Sequence, residues 1–151
     1  MERSVLLISL SIGIRSLAFA EAPQTDLRKS DLLIRALELK RSDAVVVLEP
    51  EPFVAPRITD RVRVIVNFND AATPPHSVDV IVLYDTLHAL DHRADFYAKL
   101  LRVLRLGGRV VNIDLSSKLP ESQAVQEFTA AGFHITKTVG FLPNRYFHVF
   151  E

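Results

Sequence analysis

The chain has 151 residues, which suffices for one domain with a buried core, and 48% of them are hydrophobic, as in globular proteins. Its 18 basic and 18 acidic residues cancel, which argues against a nucleic acid or an anionic membrane as a partner recognised through bulk charge. Cysteine is absent, and this excludes disulfides, thiolate nucleophiles and cysteine-based metal sites.

The N-terminus has the pattern of a secretory signal peptide. An apolar run that is too short to span a bilayer precedes an Ala-x-Ala cleavage pattern ending at Ala20. We therefore expect residues 1–20 to be removed and residues 21–151 to form the domain of a periplasmic or secreted protein. Glu2 and Arg15 are unusual in such a segment, and the alternative is a buried N-terminal element in a cytoplasmic protein.

The first predicted elements are a linker, a helix and a strand. Residues 21–29 are polar and contain a proline, which favours a linker. Ser30 is a suitable N-cap for a helix over residues 31–39, whose apolar positions recur with a 3.6-residue period. The β-branched run at residues 44–48 predicts a strand covered on both faces. It runs into Glu-Pro-Glu-Pro at residues 49–52, which cannot lie inside a helix.

The middle of the chain predicts two strands, a helix and a further strand. Residues 61–68 and 78–84 have strand patterns and are separated by a loop with two adjacent prolines. The apolar positions of residues 93–106 predict a helix that Gly107-Gly108 ends as a C-cap. Residues 109–115 then return to an apolar strand pattern.

The last third predicts a helix and a pair of strands. The helix spans residues 122–131 and is closed by Gly132. Only three residues separate the strands predicted at 133–141 and 145–151, so these must pair antiparallel as a hairpin. Strands that alternate with helices before this hairpin predict a three-layer, Rossmann-like α/β fold with a mainly parallel sheet.

The stretch from Ser77 to the C-terminus carries motifs that together resemble one known family. They are SVDVIVLYDTLHAL from Ser77, FYAKLLRVLRLGGRVVNIDL from Phe96, and AAGF at residues 130–133. They resemble the carboxy-terminal half of class I S-adenosylmethionine-dependent methyltransferases, and the closing FLPNRYFHVFE resembles an exported branch of that family. The resemblance implies methyl transfer from S-adenosylmethionine to a small-molecule substrate.

The resemblance also implies candidate site residues. Asp85 follows the strand at residues 78–84, and the carboxyl ends of strands are where open α/β sheets bind ligands. Asp85 and His88 are the catalytic candidates, with His88 as a substrate-side polar group or general base. The candidates for cofactor contact are Glu49, Asp85 and the pair Asn69-Asp70.

A metal site is the alternative role for the histidines. His88 and His92 are four residues apart, a spacing that metal sites on helices use. The resemblance places His88 in a loop beside the substrate and His92 in solvent. We therefore predict no metal site.

The first half departs from the family's cofactor-binding pattern. Residues 29–48 resemble its first helix and strand, but Glu-Pro-Glu-Pro at 49–52 replaces the Gly-x-Gly-x-Gly loop. There is room for only one strand before residue 78 where the family has two, so one β–α unit is missing. In an alternative alignment Glu49 is the family's ribose-binding acid and the true first strand is lost.

These departures leave two functions open. The first is a methyltransferase acting on a small molecule; the second is a non-catalytic, methyltransferase-derived fold that binds a ligand or a protein partner. Because Glu49 and Glu51 place like charges where the cofactor carboxylate should lie, we predict weak or absent binding of S-adenosylmethionine.

The lost unit also predicts features of the sheet. The strand at 78–84 should lie between those at 44–48 and 109–115. The other side of the 44–48 strand should then be an exposed edge through which a homodimer forms.

Overall fold

A computed structural model describes residues 23–65 and 71–151. The predicted signal peptide at 1–20 and the pair Asn69-Asp70 lie outside the described residues. The chain divides into two compact units, Met1–Arg35 and Ala36–Glu151. None of the described helices is long and apolar enough to cross a membrane.

The described part of the first unit lies in helix α1 (Pro23–Ala36). Two predictions fail here, because most of the predicted linker is helical and Ser30 lies within the helix rather than at its N-cap. A proline is compatible with the first turn of a helix, where its missing N–H has no intrahelical partner, and no other proline or glycine interrupts the segment. The sequence pattern therefore located the helix but not its start.

The second unit contains a sheet of six strands within the described residues. Its elements, in chain order, are β1 (Ala44–Leu48), α2 (Ala55–Ile58), β2 (Arg63–Ile65), β3 (Val78–Tyr84), a 3-10 turn (Leu87–Ala89), α3 (Arg93–Val103), β4 (Leu104–Leu115), α4 (Glu121–Ala130), β5 (Ile135–Val139) and β6 (Arg145–Phe150).

The strand order is β2-β1-β3-β4-β6-β5, and the first four strands are parallel to one another. Strand β6 runs antiparallel to both β4 and β5. The Rossmann-like fold, the central position of β3 and the C-terminal hairpin are thus confirmed.

Aromatic packing joins α3 and α4 to one face of the sheet. The ring of Phe128 on α4 stacks on that of Phe150 on β6, with centroids 4.1 Å apart. Tyr97 on α3 packs against the same Phe128 ring at 4.7 Å. Burial of these rings stabilises this side of the molecule, since each removes a large apolar area from water.

The junction of α3 and β4 corrects the prediction that Gly107-Gly108 ends the helix. Helix α3 stops at Val103, because the backbone N–H groups of residues 76 and 77 bond the carbonyls of Arg102 and Val103. Both glycines lie within β4, where residues 105–108 bulge out opposite the single residue Asp79. Gly107 takes φ +78° there, a conformation that favours glycine.

Strand β2 corrects the prediction of a free edge on β1. It pairs in parallel with β1 through Ala44, Val45 and Val46, on the side away from β3. The connection from β1 to β2 contains one regular element, the four-residue helix α2. The side of β1 predicted to form a dimer edge is therefore occupied by the chain itself.

Candidate functional site

The sheet order creates a crevice at the carboxyl ends of β1 and β3. From β1 the chain moves to β2 on one side, whereas β3 lies on the other side, and such a reversal is where open α/β sheets bind ligands. Leu48 and Leu83 are paired at this end, and the Thr86 hydroxyl donates to the Leu48 carbonyl at 2.7 Å. Glu49, Tyr84 and the loop after Tyr84 therefore lie side by side.

Glu49 points into its own loop. Its carboxylate accepts hydrogen bonds from three successive backbone N–H groups, those of Phe53 at 3.0 Å, Val54 at 2.7 Å and Ala55 at 3.1 Å. A carboxylate near the start of a helical turn is favourable, since those amides have no partner within the turn. The three loop amides form a site for an anion, and the Glu49 carboxylate of the same loop occupies that site.

A stack of aromatic and guanidinium groups lies next to this loop. The Phe53 and Tyr84 rings are stacked with centroids 5.0 Å apart. The Arg57 guanidinium lies 4.3 Å from the Phe53 centroid, and that of Arg145 lies 5.5 Å from the Tyr84 centroid. Burial raises the pKa of the Tyr84 hydroxyl, and the Arg145 charge partly opposes this rise.

Asp85 is held in a two-point ion pair with Arg145. The Arg145 Nε–Asp85 Oδ1 distance is 3.0 Å and the Nη2–Oδ2 distance is 2.8 Å. The Asp85 backbone has φ 50°, and its N–H donates to the Ile113 carbonyl on β4. Arg145, on the last strand of the chain, therefore orients the Asp85 carboxylate and balances its negative charge.

His88 forms a dyad with a fully buried carboxylate. Its Nδ1 lies 2.5 Å from Asp114 Oδ1, and its backbone N–H donates to Asp114 Oδ2 at 2.9 Å. The imidazole is partly exposed, and no described residue hydrogen-bonds its Nε2. A carboxylate at Nδ1 orients the ring and leaves Nε2 to accept a proton from a bound hydroxyl or amine.

The structure thus brings together three of the predicted site residues at one edge: Glu49, Asp85 and His88. Sequence reasoning missed Asp114 and Arg145, which contact two of them. Asp114 had a detectable pattern, since it is an acidic residue near the carboxyl end of an apolar strand. Arg145 had none, because its contact depends on the return of β6 alongside β4.

The other histidine of the predicted pair lies apart from the dyad. His92 is exposed and adopts a left-handed backbone at the start of α3. Within the described residues, no three His, Asp or Glu side chains come together as a set of metal ligands.

A second polar cluster joins α3 to α4. The Arg93 guanidinium binds Glu127 with Nε–Oε2 and Nη2–Oε1 distances of 2.7 and 2.8 Å, and Tyr97 and Gln123 donate to the same carboxylate. The Arg93 guanidinium, aided by Gln123 and Tyr97, lowers the pKa of Glu127 to about 2. An open cavity of about 550 Å³ lies beside this cluster. Since every one of these groups is paired, we interpret the cluster as a structural contact between α3 and α4.

Comparison with known proteins identifies the family. A family model described as a methyltransferase domain matches residues 29–112, more than half of the chain. The chain therefore belongs to this methyltransferase domain family. Membership implies S-adenosylmethionine as the family's cofactor, and the protein is methyltransferase-like. No curated protein gives a significant sequence match.

Solved structures share the fold at low sequence identity. A SAM-dependent methyltransferase from Aquifex aeolicus aligns with a TM-score of 0.60 and 14% identity, over 80% of this chain and 87% of that one. A TehB-like SAM-dependent methyltransferase from Corynebacterium glutamicum aligns with a TM-score of 0.57 and 12% identity, over 88% and 97%. These likenesses concern the fold alone.

Proposed function

We propose that this protein is a non-catalytic member of the methyltransferase family, whose cofactor crevice is closed by its own side chains and whose fold serves to bind a ligand or a protein partner. The observation that carries the proposal is the Glu49 carboxylate, which already accepts the N–H groups of Phe53, Val54 and Ala55. A cofactor carboxylate would need the same kind of donor from this loop.

The energetic cost of displacing Glu49 is a large part of the free energy of binding of a micromolar cofactor, about 8 kcal/mol. A hydrogen bond to a charged group contributes roughly 1.5–3 kcal/mol, and three would be broken. Two carboxylates left about 4 Å apart repel by about 4 kcal/mol at an effective dielectric of 20, or about 2 kcal/mol if Glu49 turns away. These contributions sum to more than about 6 kcal/mol, and about 4 kcal/mol already takes a micromolar site to the millimolar range.

Two further features support the proposal. Asp85, predicted to contact the cofactor, has both carboxylate oxygens engaged by Arg145. Phe53 follows the Glu-Pro-Glu-Pro segment that replaces the family's glycine loop, and its ring stacks on Tyr84 at the crevice. The residues present therefore do not fit the cofactor as the family holds it.

One observation favours a second candidate function, methyl transfer to a small molecule. The His88–Asp114 dyad has the geometry of a general base whose Nε2 is open. An active enzyme would need such a group only for an acceptor that must lose a proton. The dyad therefore keeps catalysis as the alternative that the experiment has to test.

The test is a calorimetric titration of the full chain with S-adenosylmethionine, combined with an assay for transfer of its labelled methyl group. We expect a dissociation constant near or above about 1 mM and no transfer above background. The double substitution Glu49→Gly with Glu51→Gly frees the loop amides and should tighten binding without reaching micromolar affinity. Micromolar binding with turnover by the native protein would establish the catalytic alternative.

We also propose that residues 1–20 are a cleaved signal peptide and that residues 21–151 form an exported domain. The support is the apolar run ending in the Ala-x-Ala pattern at Ala20. N-terminal sequencing of protein from its native host should begin at Glu21 in an envelope or secreted fraction. A mature chain that keeps Met1 in the cytoplasm would contradict this.

A further inference from the structure

A group of polar side chains lies inside the apolar interface between the sheet and α4. Asn112 and Asp114 on β4 face the same way, since they are two residues apart, and they are paired across the sheet with His148 and Tyr146 on β6. All four are at most 5% exposed. We call these four residues the buried polar group.

Two members of this group, Asp114 and His148, form hydrogen bonds with other residues of the chain. Asp114 accepts hydrogen bonds from the backbone N–H and the ring Nδ1 of His88 and from the Leu115 N–H at 2.7 Å. His148 bonds through Nε2 to Glu121 Oε1, 2.7 Å away on the exposed start of α4. One end of the group thus reaches the surface and the other reaches the crevice.

Four buried atoms in the group make no hydrogen bond of normal geometry with the described residues, although Asn112 lies close enough to the Tyr146 hydroxyl to oppose the rise of its pKa. They are Asn112 Nδ2, Asn112 Oδ1, the Tyr146 hydroxyl and His148 Nδ1. Buried polar atoms without partners are rare because they lose their hydration without replacement. Here all four belong to three side chains that neighbour one another, with the Tyr146 and His148 rings stacked at 5.1 Å.

The donor and acceptor roles of these four atoms complement those of a water molecule. Asn112 Nδ2 and the Tyr146 hydroxyl can donate, whereas Asn112 Oδ1 can accept. His148 Nδ1 accepts when Nε2 carries the proton that bonds Glu121. Two donors and two acceptors are the complement of a water molecule, which donates twice and accepts twice.

We propose that Asn112, Tyr146 and His148 bind a buried water molecule next to the Glu121–His148 pair. Burial, and then the charges of Asp114 and Glu121, keep the pKa of the Tyr146 hydroxyl above its ordinary value, so that this group stays a donor. This site does not depend on whether S-adenosylmethionine binds.

The first test is detection of the water in the native protein. NMR measurement of cross-relaxation between water and the Asn112 side-chain amide protons should show a water with a residence time longer than that of surface hydration. A high-resolution crystal structure should show a solvent peak within hydrogen-bond distance of Asn112 and His148. A direct Asn112–Tyr146 hydrogen bond with no solvent peak would overturn the proposal.

The second test is the sign of a stability change. If the water is bound, Tyr146→Phe removes one of its partners and should lower Tm by about 2–5 °C. Tyr97→Phe is the matched control, since its hydroxyl has the visible partner Glu127 at 2.9 Å and its loss should also lower Tm. If the group is dry, Tyr146→Phe removes an unpaired polar atom and should raise Tm, which would contradict the proposal.

Discussion

Glu49 is the residue on which the interpretation of the crevice depends. Its carboxylate organises the loop between β1 and α2 through three N–H groups, so Glu49→Gln, which removes the charge and one acceptor oxygen, should lower the free energy of unfolding by about 2 kcal/mol. Urea denaturation of the purified variant measures this difference.

The neighbouring acid gives a matched control for that substitution. Glu51 is exposed in the same loop, with no hydrogen bond or ion pair among the described residues. Glu51→Gln should therefore change stability by less than about 0.5 kcal/mol. Equal effects of the two substitutions would mean that net charge of the loop, rather than the Glu49 hydrogen bonds, determines its stability.

Glu127 predicts how stability responds to acid. Its folded-state pKa of about 2 lies below the ordinary value of 4.5, so its stabilising effect is complete above about pH 4.5 and is lost as pH falls toward 2. The full shift corresponds to about 3 kcal/mol, which we reduce to about 1–2 kcal/mol because Glu127 is partly exposed.

Comparison of the native protein with Glu127→Gln isolates this contribution. The native chain should be the more stable by about 1–2 kcal/mol at pH 7, and the difference should shrink as pH falls from 4.5 toward 2. Urea unfolding at a series of pH values gives both curves. A difference that stays constant over this range would show that the carboxylate charge is not what Arg93 stabilises.

At the level of elements, the bulge in β4 depends on two glycines, Gly107 for its positive φ and Gly108 for close packing. A Cβ on Gly108 would lie 2.8 Å from the Arg105 carbonyl oxygen and 3.0 Å from that of Asp79. Both are backbone atoms that cannot move aside without disturbing the pairing of β3 with β4. Gly108→Ala should therefore lower the free energy of unfolding by about 2–3 kcal/mol, measured by urea denaturation.

Gly140 provides the control for the bulge, because a Cβ there would meet no atom within 4 Å. Gly140→Ala should be neutral to within about 0.5 kcal/mol. If Gly108→Ala were equally neutral, residues 105–108 would have to adopt another conformation in solution.

Elements whose pattern is local could be predicted from the sequence. The β-branched runs at Ala44–Leu48 and Val78–Tyr84 have the predicted bounds, and the short connection before β6 required the antiparallel hairpin. The ends of α1 and α3 could not be predicted. The end of α3 depends on hydrogen bonds from residues 76 and 77, which are distant in sequence.

In the candidate site, too, some features were predictable from the sequence and others were not. The carboxyl ends of β1 and β3 were predictable as the ligand-binding edge, and Glu49, Asp85 and His88 do lie there. Their partners were not predictable, since Asp114 and Arg145 approach through the pairing of β4 with its neighbours. The inward orientation of Glu49 was also missed, because a sequence motif does not reveal which backbone amides a carboxylate will meet.

At the level of the whole molecule, three separate segments close the crevice: the loop after β1, the end of β3 and the start of β6. Arg145 links the last two, through Asp85 and the Tyr84 ring. Arg145→Gln should leave the fold intact, as judged by circular dichroism, and lower the free energy of unfolding by about 1–2 kcal/mol. Unchanged stability would show that the ion pair contributes nothing in solution, as many exposed pairs do not.

The central claim, that Glu49 occupies the amides a cofactor would need, is tested most directly by the NMR signals of those amides. In a ¹H–¹⁵N correlation spectrum, the signals of Phe53, Val54 and Ala55 should move together when Glu49→Gln is introduced, because all three donate to its carboxylate. Addition of S-adenosylmethionine to the native protein, up to about 0.1 mM and thus well below the expected dissociation constant, should leave them in place. Saturable movement of the three signals at micromolar cofactor would contradict the account.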